Sequence, residues 1–305
     1  MKKKNALSAV CYGEVLWDVF PTHKKIGGAP LNVALRMNSM GVKTNMISRV
    51  GADENGDEIV SFLKENKINV DEIQIGEKYK TGVVNVMINE KGNASYDIAY
   101  PSAWDKIEKI ERMDKLINKA DVFVFGSLAS RDEGSRETLF SLLDKAQYKV
   151  LDANLRPPYY TTEVINSLML KADFIKLNDE ELREISRELD SPYNSFEQNI
   201  KFIAEKTNTK QLCVTKGEFG AVLYYNGKFY YNSGYFIKVV DTVGAGDSFL
   251  ASLLLRLLRG KSPQKALNYA CAVGALVAGQ EGANPKISEK EIKKFMMLDK
   301  SKIEK

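Results

Sequence analysis

The sequence predicts a mixed α/β fold, with a mostly parallel, doubly wound central sheet, helices on both faces and a small additional β-sheet. From position 121 onward, apolar strand-like runs alternate with helical patterns, which is typical of parallel sheets. Between positions 81 and 100, apolar residues recur at every second position around a polar turn, which indicates a hairpin without a helical partner. The 305 residues are 44% hydrophobic and 28% charged, so the chain can bury a sizeable core.

The first part of the chain has the pattern of a βαβ run. An apolar strand is predicted at 8–13, and rough alternation continues to Phe20. The apolar positions between Leu31 and Met40 then suit a helix, with Pro30 in its first turn and Gly41 at its end. A strand over 44–50 and a helix from about Glu54 come next.

The same patterns predict the elements of the second part of the chain. The expected strands lie at 122–125, 149–151, 174–177, 212–215 and from Ala221, and the expected helices at 133–146, 162–170, 249–259, 263–279 and from about Ile287. Ligands of parallel sheets gather at the carboxyl ends of strands. Because the polar motifs of this chain follow such strands, we expect the functional site at that edge.

Charge and cysteine content exclude several classes of protein. The formal charge is +4, from 44 basic and 40 acidic residues, and the lysines are scattered, so no nucleic-acid partner is expected. The apolar stretch after the basic residues 2–4 is too short for a signal peptide, and no apolar run reaches transmembrane length. We therefore expect a cytoplasmic protein without a membrane partner. Cys11, Cys213 and Cys271 are expected to be buried, reduced thiols.

The stretch 241–249 combines a glycine-containing turn with two aspartates, and an apolar helical pattern begins directly after it. Gly244 and Gly246 would let the backbone approach an anion, and the first-turn amides of the helix would hold phosphate oxygens. A carboxylate is repelled by phosphate, so Asp247 is expected to have a chemical role, accepting the proton of an attacking hydroxyl. The alternative is a catalytically silent acid that only stabilises the helix dipole.

A second glycine cluster at 27–34, Gly-Gly-Ala-Pro-Leu-Asn-Val-Ala, precedes this stretch. Together the two stretches resemble both signatures of the PfkB (ribokinase-like) family of carbohydrate kinases, and Ala29-Pro30 is most similar to fructokinases. The resemblance implies a ribokinase-like fold in a single kinase domain, 1–305. A β lid, approximately 14–26 and 80–104, would close over the substrate and form a homodimer contact.

The resemblance also implies residues that bind the substrate. Asp18, Gly28 and Asn32 would contact a small sugar, with Asn32 facing outward near its helix start. Asp18 could instead cap a turn. Arg156, in a stretch Asp-Ala-Asn-Leu-Arg-Pro that resembles fructokinases, would grip the substrate or offset phosphoryl charge; a solvated surface charge is the alternative. Tyr96, Asp97 and Trp104 are candidate lid contacts.

ATP and Mg²⁺ are the implied cofactors, and K⁺ is a further implied ion. The residues on the nucleotide side are Asn178, Glu181, Thr215, Gly217, Gly220, Gly244, Gly246 and Cys271. We call Gly244, Ala245 and Gly246 together the anion turn. Glu181 would hold Mg²⁺ through water, although residue chemistry alone favours Asn178 as a helix N-cap. The potassium positions would be Asp241, Val243, Val277, Gln280 and Gly282, mostly through backbone carbonyls.

The substrate is left open by the sequence. Fructose is favoured, and ribose, 2-keto-3-deoxygluconate, a nucleoside and a sugar phosphate are alternatives. A phosphorylated substrate would need more basic residues than Lys78, Lys80 and Lys91 near the lid. A non-catalytic sugar or nucleotide sensor ranks lower, because the acid and the anion turn are both intact. A dehydrogenase fits poorly, since no Gly-x-Gly-x-x-Gly follows the first strand.

Overall fold

The computed structural model describes residues 7–88 and 94–297, which form two compact units that divide between Lys171 and Ala172. The predicted turn at 90–93, Lys91 and the basic residues 2–4 lie outside the described residues. In the first unit the strands are β1 (Ser8–Tyr12), β2 (Leu16–Val19), β3 (Lys24–Gly27), β4 (Lys43–Gly51), β5 (Ile73–Gly76), β6 (Gly82–Ile88), β7 (Ala94–Ile98), β8 (Val122–Gly126) and β9 (Lys149–Asp152). Its helices are α1 (Ala29–Ser39), α2 (Glu54–Glu65), α3 (Glu111–Lys119), α4 (Glu133–Leu143) and α5 (Thr162–Lys171).

Two sheets form in the first unit. Five strands pair in parallel in the order β9-β8-β1-β4-β5. Because β1 lies in the middle, its residues from Ala9 to Tyr12 are completely buried, as expected for a central strand between helices. The small sheet has the order β3-β2-β6-β7, in which β2 pairs in parallel with β6. The predicted hairpin is thus joined by the segment after β1, and β3 extends it.

The second unit has its own strands and helices. The strands are β10 (Phe174–Asn178), β11 (Gln211–Thr215), β12 (Ala221–Tyr225) and β13 (Lys228–Asn232), and the helices are α6 (Asp179–Glu188), α7 (Phe196–Lys206), α8 (Ala245–Leu258), α9 (Pro263–Ala278) and α10 (Glu289–Met297). β10 and β11 are parallel, whereas β12 and β13 continue antiparallel. α8 and α9 pack against each other through largely apolar faces.

The fold class is the predicted one, a mixed α/β chain with a large, mostly parallel sheet, helices and a small separate sheet. The three cysteines are buried and free, also as predicted. Among the described residues, no helix combines the length and the apolar character needed to cross a bilayer.

Candidate active site

The turn before α8 has the shape that its glycines predict. Gly244 is the N-cap of α8 and adopts a left-handed conformation with φ 72°. A Cβ on Gly244 would lie 2.6 Å from Ala283, so both the conformation and the packing require glycine. The helix begins at Ala245, one turn earlier than the apolar pattern from Phe249 indicated. Asp247 consequently lies inside the first turn and not ahead of the helix.

The first turn of α8 offers donors to an anion. The amide of Ser248 donates to the Gly244 carbonyl at 2.9 Å, and the Ala245 amide donates to the Thr242 carbonyl at 3.2 Å. An α-helix leaves its remaining first-turn amides without an intrahelical acceptor, which here includes the amide of Gly246. The positive end of the helix dipole adds to this field. The turn therefore suits a phosphate oxygen.

Asp241 ties this turn to a second loop. Its carboxylate oxygens accept hydrogen bonds from the amides of Val243 and Gly282, each at 3.0 Å. The carbonyl of Ala278 accepts the amide of Asp241 at 3.2 Å, and Gln280 donates to the Val277 carbonyl at 3.0 Å. The positions implied for a potassium ion are therefore brought together. Within the described ranges, no group of three or more His, Cys, Asp or Glu side chains could hold a metal ion.

Asn178 and Glu181 form a reciprocal cap at the start of α6. The Asn178 side chain accepts the Glu181 amide, and a carboxylate oxygen of Glu181 accepts the Asn178 amide, both at 2.8 Å. The expectation that Asn178 is an N-cap is confirmed. Glu181 is only 4% exposed, so its carboxylate is held rigidly at the end of β10.

The segment from Thr215 to Gly220 lies between two strands of the second unit. Gly217 has φ 55° with open space around it, so backbone is accessible there. Gly220 has φ 77°, and the space beside it is filled by the Asn232 carbonyl, which gives this glycine a packing role. Cys271 on α9 is buried, and burial raises its thiol pKa to about 12 against the opposing charge of Lys216. A neutral thiol is a packing group and not a nucleophile.

Asp18 lies on β2, opposite Lys25 of β3, and its carboxylate occupies the space that a side chain on Gly27 would need. Burial raises the pKa of Asp18 to about 6, and the positive charge of Arg156 opposes that rise. The structure therefore brings Arg156 within electrostatic range of Asp18. The Arg156 side chain is exposed, and its Nη1 donates to the Leu155 carbonyl at 3.0 Å.

Two expectations around α1 need correction. Asn32 is only 4% exposed, so the prediction that it faces outward is wrong. Its amide donates to the Gly28 carbonyl at 2.9 Å, which places it in the first turn of a helix whose early residues are buried. Gly28 has φ 117°, and the space beside it is taken by the Glu14 carbonyl. Close packing of the β1–β2 connection, and not an open surface, requires that glycine.

The lid candidates separate by exposure. Tyr96 is 55% exposed and Asp97 is also exposed, whereas Trp104 is completely buried. The guanidinium of Arg131 lies 4.1 Å from the Trp104 ring centroid. Trp104 is therefore a core residue, and its assignment as a candidate substrate contact is wrong.

Lys176 also lies at the turn before α8, although its sequence context does not reveal a role. It is 6% exposed in the middle of β10, and a Cβ placed on Gly246 would lie 3.5 Å from its Nζ. The available signal was a lysine inside the otherwise apolar run Phe-Ile-Lys-Leu. Buried lysines are rare unless the charge is paired or functional.

Known proteins of similar sequence or fold include several sugar kinases. The chain is similar to a curated relative, probable fructokinase-6, chloroplastic, of Arabidopsis thaliana, at 31% identity over 92% of this chain and 80% of the relative. Among solved structures, a sugar kinase from Pyrococcus horikoshii is 26% identical with a TM-score of 0.81, covering 95% of this chain and 100% of that one. A Vibrio cholerae fructokinase with bound fructose, ADP and potassium is 22% identical with a TM-score of 0.84, covering 97% of this chain and 100% of that one.

The same fold also carries other acceptors. A 2-dehydro-3-deoxygluconokinase of Thermotoga maritima aligns with a TM-score of 0.82 at 22% identity, covering 96% of this chain and 98% of that one. The fold alone therefore does not choose the sugar. Residues 2–290 match the family described as pfkB family carbohydrate kinase, nearly the whole chain. With the anion turn, the acid inside it and this match, the chain belongs to the pfkB family of carbohydrate kinases.

Proposed function

We propose that this kinase is a fructokinase, which transfers the γ-phosphate of ATP to a hydroxymethyl group of fructose. The observation that carries the proposal is the first turn of α8, in which the Asp247 carboxylate follows a left-handed Gly244 cap. The sequence motifs at 27–34 and 152–157 and the fructokinase relatives support fructose as the acceptor.

In the proposed reaction, Asp247 accepts the proton of the hydroxymethyl group as its oxygen attacks the γ-phosphorus in line. A bond forms between that oxygen and phosphorus, the bond to the β–γ bridging oxygen breaks, and ADP leaves with the electron pair. The Gly244–Gly246 turn stabilises the charge on the phosphoryl oxygens through backbone amides. No covalent enzyme intermediate is needed.

The sugar would be held by Asp18, Asn32 and Arg156. Asp18 would accept hydroxyl hydrogen bonds, and the charge of Arg156 favours its ionised form. Asn32 is buried, so its amide can serve the substrate only inside a closed site. Gly28 acts by allowing the close approach of the Glu14 carbonyl, which fixes the start of α1. The small sheet is proposed as the lid that excludes water, and as the homodimer contact.

The residues present fit the implied ions. One carboxylate oxygen of Glu181 already accepts a hydrogen bond from the Asn178 amide. Because bound Mg²⁺ usually keeps several waters, Glu181 would contact the ion through water. When bound, Mg²⁺ neutralises phosphate charge. For K⁺, Asp241 would supply one negative charge and backbone carbonyls would supply the other oxygens, while the amides of Val243 and Gly282 hold the Asp241 carboxylate in place. Thr215 and Gly217 would lie along ATP.

The test is a coupled ADP-release assay with the purified protein over a panel of fructose, ribose, 2-keto-3-deoxygluconate, a nucleoside and fructose 6-phosphate. We expect fructose to give the largest kcat/KM. A larger value for another acceptor reassigns the substrate. Sugar binding without any ADP release identifies a non-catalytic sensor instead.

Asp247→Asn is expected to lower kcat by at least about 1,000-fold, because loss of the base adds to a disturbed phosphoryl site. Fructose and ATP affinities, measured by calorimetry, should stay within a few-fold of the wild type. The matched control is Asp57→Asn, which removes an exposed first-turn acid of α2 and should leave turnover unchanged. Near-normal turnover of Asp247→Asn would show that Asp247 only stabilises its helix.

A further inference from the structure

Lys176 places a positive charge inside the second unit. It is the middle residue of β10, opposite Cys213 of β11, and its neighbours Ile175 and Leu177 are completely buried. At 6% exposure the ammonium is largely removed from water, which is costly unless an anionic group or a set of acceptors compensates for it.

The ammonium lies beside the anion turn. Its Nζ would be 3.5 Å from a Cβ placed on Gly246, so it borders the first turn of α8 directly. That end of the helix is already positive, because the first-turn amides and the dipole point the same way. Two positive sources side by side in a partly buried site favour an anion between or beside them.

Asp247 brings one negative charge to this turn, whereas a phosphoryl group brings about two. A lysine acts toward phosphate as a compact point charge with three donors. A largely buried ammonium, a glycine without a side chain and the first-turn amides of α8 thus lie side by side, and each of them suits a phosphoryl oxygen.

We infer that Lys176 is a catalytic residue whose ammonium contacts the oxygens of the phosphoryl group during transfer to the sugar. The inference rests on the proposed function, since it assigns the transferred group to the α8 turn. In this role Lys176 keeps its proton throughout. It stabilises charge while Asp247 takes the proton of the acceptor hydroxyl, so the two residues have separable effects.

The experiment compares Lys176→Met, Lys176→Arg and the control Lys210→Met, which removes an exposed lysine just before β11. We expect Lys176→Met to lower kcat by about 100- to 1,000-fold while KM for the sugar changes less than about threefold. Lys176→Arg should recover part of kcat, because it restores the charge with different geometry. Lys210→Met should match the wild type.

A binding measurement separates a catalytic role from a structural one. Aluminium fluoride with ADP imitates the phosphoryl group during transfer, so wild-type protein should bind ADP more tightly when Mg²⁺ and aluminium fluoride are present. Lys176→Met should lose most of that gain and keep its affinity for ADP alone. Thermal unfolding of each variant reports whether it folds. If Lys176→Met does not fold, the same comparison is made with Lys176→Gln, which also removes the charge.

Two results would overturn the inference: kcat of a folded Lys176→Met variant within about fivefold of the wild type, or an unchanged gain from aluminium fluoride in the variant used. Failure of the proposed function looks different, because wild-type protein would then release no ADP with any sugar of the panel. In that case the aluminium fluoride gain would also be absent from the wild type.

Discussion

Asp18 is the residue whose protonation should set the acid limit of activity. Burial raises its pKa to about 6, so the carboxyl is ionised at neutral pH and becomes protonated in mildly acidic solution. A protonated carboxyl loses acceptor capacity toward sugar hydroxyls. We expect kcat/KM for fructose to fall about tenfold per pH unit below pH 6, measured between pH 5 and 8.

The control for this pH dependence is Asp18→Asn. It should have a low and flat profile over the same range, because the amide does not titrate. The fall would belong to another group if the variant kept the same acid limb. Wild-type kcat/KM that stayed constant down to pH 5 would show that ionised Asp18 is not required for sugar binding.

Single residues also show where sequence reasoning stops. Gly244 could be identified because a turn feeding a helix needs a left-handed residue, and it has φ 72°. Asn32 and Trp104 could not be placed correctly, because their burial depends on contacts distant in sequence. For the same reason Lys176 received no role, since its position beside Gly246 depends on the packing of β10 against the start of α8.

At the scale of elements, a buried ion pair between Arg131 and Asp105 acts as a brace, meaning that it holds together segments that follow β7, β8 and β9. Arg131 Nε lies 2.7 Å from Asp105 Oδ1, with both side chains at most 3% exposed, and Arg131 Nη2 donates to the Ala99 carbonyl at 2.7 Å. The guanidinium also lies 4.9 Å from the Tyr159 ring centroid. The brace therefore joins the base of the small sheet to the segments after β8 and β9.

Arg131→Met should lower the free energy of unfolding by about 3–5 kcal/mol, because it leaves the buried Asp105 without its cation. Urea unfolding measures the change. Asp105→Leu together with Arg131→Met should regain much of it, since no buried charge then lacks a partner. Lys171→Met, which breaks an exposed pair with Asp144, is the control and should cost less than about 1 kcal/mol. A loss no larger for Arg131→Met than for this control would contradict the brace.

The alternation of strands and helices was predictable because each apolar run has a period that matches its element. Among the features that were not predicted are the hairpin of β12 and β13, helix α7 and strand β5. The first two have recognisable sequence patterns, and the third does not. The hairpin of β12 and β13 turns at Asn226 and Gly227, whose φ values of 49° and 82° suit the Asn-Gly pair. α7 had Ile200, Ile203 and Ala204 buried at helical spacing after a Ser195 cap, so it could have been found. β5 is a four-residue edge strand, too short for periodicity to identify.

At the scale of the whole molecule, the proposed ligand contacts divide between the two units. The implied sugar residues belong to the first unit, apart from Asp247, and the implied nucleotide residues belong to the second. A ligand stabilises the region that it binds, by about 2.7 kcal/mol at 100 times its Kd. Each ligand should therefore leave its own pattern of protection.

Hydrogen exchange measured by mass spectrometry should show that fructose slows exchange around β2, β3 and the start of α1. ADP with Mg²⁺ should slow exchange around 215–220 and 241–249. Asp18→Asn should lose the fructose pattern and keep the ADP pattern, which controls for general stabilisation. Protection by fructose confined to the second unit would reject the assignment of the sugar residues.

The contact between Gly244 and Ala283 means that the anion turn is not self-contained. The hydrogen bond from the Gly282 amide to Asp241 holds the loop around Ala283 beside the turn, although about forty residues separate the two in sequence. Moving residues 241–249 alone into another protein would transfer the motif but not the loop against which Gly244 packs. The loop around Ala283 is therefore as much a part of the proposed phosphate site as the glycines themselves.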